Sequence, residues 1–381
     1  MIVDLEEAEA VFEASVDATV GIEEEFAILD PATLDLAPRY EELHDAAQAD
    51  PVLREAIAGE LISSEIEIRS GRGEGLADAL DRQQAARIAL FALADAQGAR
   101  LGATGTHPWA DYREQPNIDT EHYRRVVEGL QYVARRNNTF SVHVHVGIQG
   151  ADRAIRVCDR LRRELPGLLA LSASSPFLDG RDAGLHSART QSFTKSFPRC
   201  GIPDAYGSWR AYADYIDVLQ RTSSIVEYTQ VWWSVRPHFD FGTVEVRICD
   251  VQTTAVESDA LCALITACVL QAAWDVDARV VTPEPPRRLV EENFWRAIRF
   301  GLDGKQIDLA ATTEFPAAAT VERLLAWTAP ARAVHGLGEP SFPARNGAQR
   351  QRALIDAGVP AAEVYAAAVQ ETHSTYSDRR E

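Results

Sequence analysis

The chain has 381 residues, 46% hydrophobic and 25% charged, enough to bury a large core without disulfide staples. Its formal net charge of −19 repels nucleic acid and anionic lipid and excludes both as partners. The acidic N-terminus carries no basic leader, no apolar run reaches the roughly 18 residues of a membrane span, and the five cysteines contain no Cys-x-x-Cys pair, so a cytoplasmic protein with free thiols is expected.

In chain order, residues 20–29 are a predicted strand closed by the Asp30-Pro31 turn, and 62–70 a second, ended by SGRGEG. Residues 76–99 have the pattern of a long amphipathic helix, with Leu80, Arg87 and Phe91 marking its faces. A short strand over 101–106 precedes His107-Pro108, and SVHVHVGI at 141–148 is a strand alternating valine with histidine. Residues 152–172 follow as one helix with Ile155, Cys158, Leu161, Leu165 and Leu168 inward and a kink at Pro166. The stretch 174–208 is long, polar and rich in Gly, Pro, Ser and Arg, a loop of the kind that carries function. Residues 232–237 and 243–249 form a hairpin around HFDFG, and 258–276 a buried helix. Beyond EENFWRAIRFGLDG the pattern is helical, with a Pro- and Gly-containing loop near 336–347 and a loose end at THSTYSDRRE. Strands scattered among helices, with hairpin joins and no Gly-rich phosphate loop, predict an α+β fold. A single catalytic domain over 1–381 is expected, its sheet-forming part at 19–250 and a helical part at 255–381.

The period of two along each strand sorts the charged residues onto one face. Glu23 and Glu25 oppose Ile22, Glu24, Phe26 and Ile28; Glu65, Glu67 and Arg69 oppose Ile66 and Ile68. His143 and His145 oppose valines, and Thr243, Glu245 and Arg247 oppose Val244, Val246 and Ile248. Glutamate is a poor strand former, and crowded carboxylates repel unless something neutralises them. Divalent cations would do so, and an oxygen-rich set with an occasional imidazole suits Mg²⁺ or Mn²⁺.

The motifs VGIEEEFAILDP, SEIEIRSG, SVHVHVGI, SPFLDGRDAGLHSARTQSF, GTVEVRICDVQT and NFWRAIRFGLDG, in this order, resemble the carboxylate-amine ligase family also called glutamate–cysteine ligase type 2. The resemblance implies a glutamine synthetase-like catalytic fold: a curved antiparallel sheet, backed by helices, whose acidic face holds metals and ATP phosphates. It implies ATP-dependent ligation through an acyl phosphate, with amino acids such as glutamate and cysteine as substrates, and a homodimer. Glu23, Glu25, Glu67, Glu245 and His143 are the first metal ligands this suggests, with Glu65 and His145 second; Glu245 and Arg247 are the catalytic pair, Arg247 holding transferred phosphate. Glu60 aligns with a family glutamate near the nucleotide. Arg69, on the metal face, and His145 are candidates to bind the nucleotide, and Arg181, Arg189, Lys195 and Arg199 of the long loop are candidates to bind substrate or ATP.

Two other readings compete. A cupin-like hydrolase or dioxygenase would use His143, His145 and Glu245, with His238 as a further ligand, but leaves Glu23, Glu25, Glu65 and Glu67 without a task. A non-catalytic sensor of nucleotide or small acid would not need every charged position.

Overall fold

The computed structural model describes residues 3–281 and 283–378. Strands β1 (Val20–Leu29), β2 (Ile57–Ala58), β3 (Glu65–Arg69), β4 (Arg100–Gly102) and β5 (Val142–Gly147) come first. Two-residue strands β6 (Phe177–Leu178), β7 (Arg181–Asp182), β8 (Cys200–Gly201) and β9 (Trp232–Trp233) form small pairs outside the main sheet. β10 (Val235–His238) and β11 (Thr243–Val246) complete that sheet, and β12 (Lys305–Asp308) pairs with β13 (Thr313–Pro316). The main sheet has seven strands in the order β10-β11-β5-β1-β3-β2, with β4 also on β1, and every pairing in it is antiparallel. It is open, with β10 and β2 as its edges, so a cupin barrel is ruled out.

The register carries the alternation from strand to strand. Glu25 faces Glu67 and Glu23 faces Arg69 across β1–β3, while Glu23 also faces His143 across β1–β5. Glu245 stands between His145 of β5 and Arg236 of β10. A slip of one residue would send all of these side chains to the opposite face. On that opposite face, Ile22, Phe26, Ile66, Ile68, Val142, Val144, Val244 and Val246 are at most 1% exposed. Each such side chain contributes about 1.5–3 kcal/mol on burial. Helices Leu76–Ala96 and Ala255–Asp277 cover this layer.

One residue of the covered layer is charged. Glu24 points into the core and is met by Arg87 Nε at 2.6 Å and NH2 at 2.7 Å, with Gln83 and Ser258 also donating to it. The Arg87 that marked a helix face in the sequence is the buried partner of this carboxylate.

Several elements differ from expectation. Residues 152–172 are two helices, Ala151–Leu161 and Leu165–Ser172, and Pro166 sits in the first turn of the second, where its missing N–H costs nothing. The predicted strand over 101–106 shortens to β4, and the C-terminal region holds the β12–β13 hairpin. THSTYSDRRE is not loose up to Tyr376: helix Ala361–Tyr376 runs through it, with Thr372 and Tyr376 buried; residues 379–381 lie outside the described residues. Ala255–Asp277 is long and apolar enough to cross a membrane, against the expectation, but most of it is buried in the core.

Candidate active site

The acidic face forms the floor of a cavity of about 330 Å³. Glu23, Glu25, Glu65, Glu67, Glu245 and His143 line it, with Arg69, Arg189, Arg236 and Arg247 around them. Glu60, which no strand argument reaches, lies just beyond β2 and also lines it. His145 turns to a neighbouring cavity of about 280 Å³ that shares Glu23 and Arg69 with the first.

The floor falls into two groups of donors. One oxygen each from Glu25 and Glu67 and one nitrogen of His143 lie within 4.8 Å of one another; Glu23, His143 and Glu245 form a second such group. His143 links them, its Nδ1 at 3.0 Å from Glu23 and its Nε2 at 3.8 Å from Glu25. Ser141, two residues before His143 and on the same face, donates through Oγ to Glu25 Oε2 at 2.7 Å and lies 2.8 Å from His143 Nε2. His145 Nε2 is 3.4 Å from Glu23 and 3.8 Å from Glu245, and its Nδ1 is 3.0 Å from Thr243 Oγ1.

The charges around these carboxylates are unequal. Burial favours the neutral form of Glu245, but Arg236 and Arg247 outweigh it and hold the carboxyl well below its usual range. Arg236 Nε donates at 2.6 Å and Arg247 grips the other oxygen. Burial likewise opposes ionisation of Glu23, and attraction to His145 with hydrogen bonds to both histidines overcomes it. On the β3 side the compensation falls short: Arg69, 2.8 Å from Glu67, is outweighed. Burial and the charge of Glu25 push Glu65 well above its usual range, and burial with Glu23 does the same to Glu67. Burial and then Glu25 push Glu60 up to about 8. Glu65 Oε2 is buried with no hydrogen-bond partner.

An orphaned buried oxygen, carboxylates held out of their ionised form by burial and by one another, and an oxygen-rich donor set with one imidazole fit hard divalent cations. Glu25, Glu67 and His143 would hold one; Glu23 and Glu245 would help hold another, with His143 serving one ion at a time because a neutral imidazole has a single free lone pair.

The loop basics separate. Arg189 is buried in the cavity wall. Lys195 lies over the Phe294 ring at 4.6 Å, Arg199 donates to the Gln230 carbonyl at 3.2 Å, and neither they nor the exposed Arg181 line the cavity. His238, the ligand the barrel reading required, joins neither donor group and stacks on Phe241 at 4.3 Å. Sequence reasoning missed Arg236, although it shares a strand face with His238 and stands opposite Glu245. It also missed Phe193, Phe197 and Trp232, which line the cavity.

This sheet and its carboxylate floor are those of a carboxylate–amine ligase. The chain belongs to glutamate-cysteine ligase family 2, whose model matches residues 19–373. A protein of Rubrobacter xylanophilus provisionally named glutamate–cysteine ligase 2-3 is 38% identical over 355 residues, 91% of this chain and 95% of that one. A second, from Solibacter usitatus and provisionally named glutamate–cysteine ligase 2, is 39% identical over 307 residues, covering 81% of this chain and 79% of its own length. Among solved structures, glutamate–cysteine ligase from Francisella tularensis in complex with AMP superposes with a TM-score of 0.69 at 11% identity, over 96% of this chain and 90% of that one. A bifunctional glutathione synthetase from Pasteurella multocida gives 0.66 at 13% identity, over 97% of this chain and 54% of the other. Both likenesses are of fold.

Proposed function

We propose that this protein joins a carboxylic acid, glutamate in the first instance, to an amine at the expense of ATP, through an acyl phosphate. The observation that carries this is the pairing of a buried carboxylate floor, organised as two cation-holding groups, with arginines on its rim. A negative nucleophile must approach a polyanion here, and divalent cations, if bound by these carboxylates and His143, would supply the charge that offsets their repulsion.

The residues divide the remaining work. Arg236 stays with Glu245 through Nε while its NH1 donates to the Thr229 and Val231 carbonyls, so it is fixed. Arg247 is tied to Glu245 by NH1 alone, and its buried Nε has no partner. It is therefore free to turn its planar fork to the phosphoryl group in transfer. The second cavity, beside Glu23 and His145, suits the purine. Phe241 is 56% exposed at its edge and offers a ring face backed by His238. The main cavity is left for donor acid and acceptor amine.

The test is positional isotope exchange in the γ-phosphate of ATP, with Mg²⁺ and glutamate but no amine. Exchange that depends on glutamate supports the acyl phosphate. ATP that never exchanges, with glutamate or any other acid, removes it.

A further inference from the structure

One wall of the main cavity is unlike its floor. Arg189, Phe193 and Phe197 stand at i, i+4 and i+8 on the segment that begins with helix Ala188–Ser192, and all three line the cavity. The helix itself ends at Ser192; Phe193 caps it and Phe197 lies in the turn that follows, each N–H donating to the carbonyl four residues back, Phe193 to Arg189 at 2.9 Å and Phe197 to Phe193 at 3.0 Å. The Phe193 and Phe197 rings are 4.4 Å apart, and Trp232 of β9 joins Phe197 edge-on at 5.4 Å.

Arg189, on the same cavity wall, is 3% exposed. NH1 donates to the Ile248 carbonyl at 3.1 Å, NH2 to the Arg247 carbonyl at 3.3 Å, and Nε has no partner. The carboxylate behind it, Asp250, is 3.7 Å away and is taken up by Ser175 Oγ at 2.6 Å, Ser187 Oγ at 2.8 Å and the Ser174 N–H at 3.0 Å. The Arg189 charge is thus only partly neutralised within the protein, beside an apolar surface.

The floor and Arg247 serve the donor carboxylate and the phosphoryl group, so this wall is available to the second substrate. An amine attacks only when neutral, and an apolar surround disfavours the ammonium form. We propose that the acceptor is an α-amino acid with a bulky apolar side chain, of leucine or phenylalanine size, its carboxylate on Arg189 and its side chain against Phe193, Phe197 and Trp232. The inference rests on the ligase reading above. The amine nitrogen forms a C–N bond to the acyl carbon, the C–O bond to phosphate breaks, phosphate leaves with the electron pair, and the amine gives up one proton to it.

The whole protein is assayed with MgATP and glutamate against L-leucine, L-phenylalanine, L-cysteine, L-serine and isoamylamine, which is leucine without its carboxylate. Phosphate release and the mass of the γ-glutamyl product are measured. Leucine or phenylalanine is expected to exceed cysteine and serine in kcat/KM by at least about tenfold. Phe193→Ala should raise the KM for leucine about tenfold and leave that for serine little changed. Arg189→Met should abolish the preference for leucine over isoamylamine, a difference that a merely loosened fold would leave in place. A preference for cysteine or serine overturns the proposal, and isotope exchange with glutamate alone then shows that the ligase chemistry stands without it. Absence of exchange with every acid overturns both.

Discussion

Adjacent strands β1 and β3 carry glutamates to opposite faces of one sheet, and the two faces treat Glu24 of β1 and Glu67 of β3 differently. Glu24, on the covered face, is fully buried and answered by Arg87, Gln83 and Ser258, and these partners hold its carboxyl below its ordinary value despite burial. Glu67, on the cavity face, is 4% exposed, faces Glu25 in the register and is pushed up by burial and by Glu23. Its partner Arg69, at 2.8 Å, does not restore it. A structural carboxylate has its countercharge in the protein. One placed for function among its own kind waits for a charge from outside.

The contrast is broken most severely at Glu67. Glu67→Gln removes a ligand from one cation group, and ligation should fall by at least about a thousandfold while the metal-free thermal midpoint holds, since the amide replaces a carboxyl that the metal-free fold already disfavours in its ionised form. ADP formation and a thermal scan measure both; near wild-type turnover would remove Glu67 from the ligand set. Glu24→Gln should do the reverse. It leaves Arg87 without its main partner and should cost about 3 kcal/mol of stability in denaturant unfolding, with activity per folded molecule nearly kept. A third variant separates geometry from charge. Arg247→Lys keeps the cation and loses the fork, and kcat should drop by about 2–4 kcal/mol in barrier with little change in the apparent affinity for ATP.

The smallest effect is one of pH. Glu60 titrates near 8 in the metal-free fold against an ordinary 4.5, so between those values the native state keeps a proton that the unfolded chain has lost. Stability of the metal-free protein should therefore fall as pH rises through that window. Mg²⁺, which favours the ionised floor, should raise the thermal midpoint more at pH 8 than at pH 6. An equal rise at both would mean that the carboxylates are already ionised without metal.

Much of this face was legible in the sequence because a strand has a period of two and the relevant side chains obey it. Glu23, Glu25, Glu65, Glu67, His143 and Glu245 all reach the cavity as the alternation requires. Glu24 was placed on the correct face, but its partner was not visible, since Arg87 lies on a helix 63 residues away and only packing brings the two together. Glu60 lies in a loop, where no period constrains direction, and only the resemblance pointed to it. Lys195 and Arg199 show the converse: basic residues in a long loop look equivalent in sequence, and tertiary packing turned both from the cavity while keeping Arg189 in it. The spacing of Arg189, Phe193 and Phe197 was present in the sequence, and was obscured by reading the whole of 174–208 as loop.

The most direct test of the account is calorimetric titration of the metal-free protein with Mn²⁺ in two buffers of different ionisation enthalpy. Two binding events are predicted, with net proton release, and Glu67→Gln should lose one of them along with most of the released protons. Glu24→Gln should bind as wild type does. No saturable binding, or binding without proton release that Glu67→Gln leaves intact, would contradict the claim that the face is built for cations.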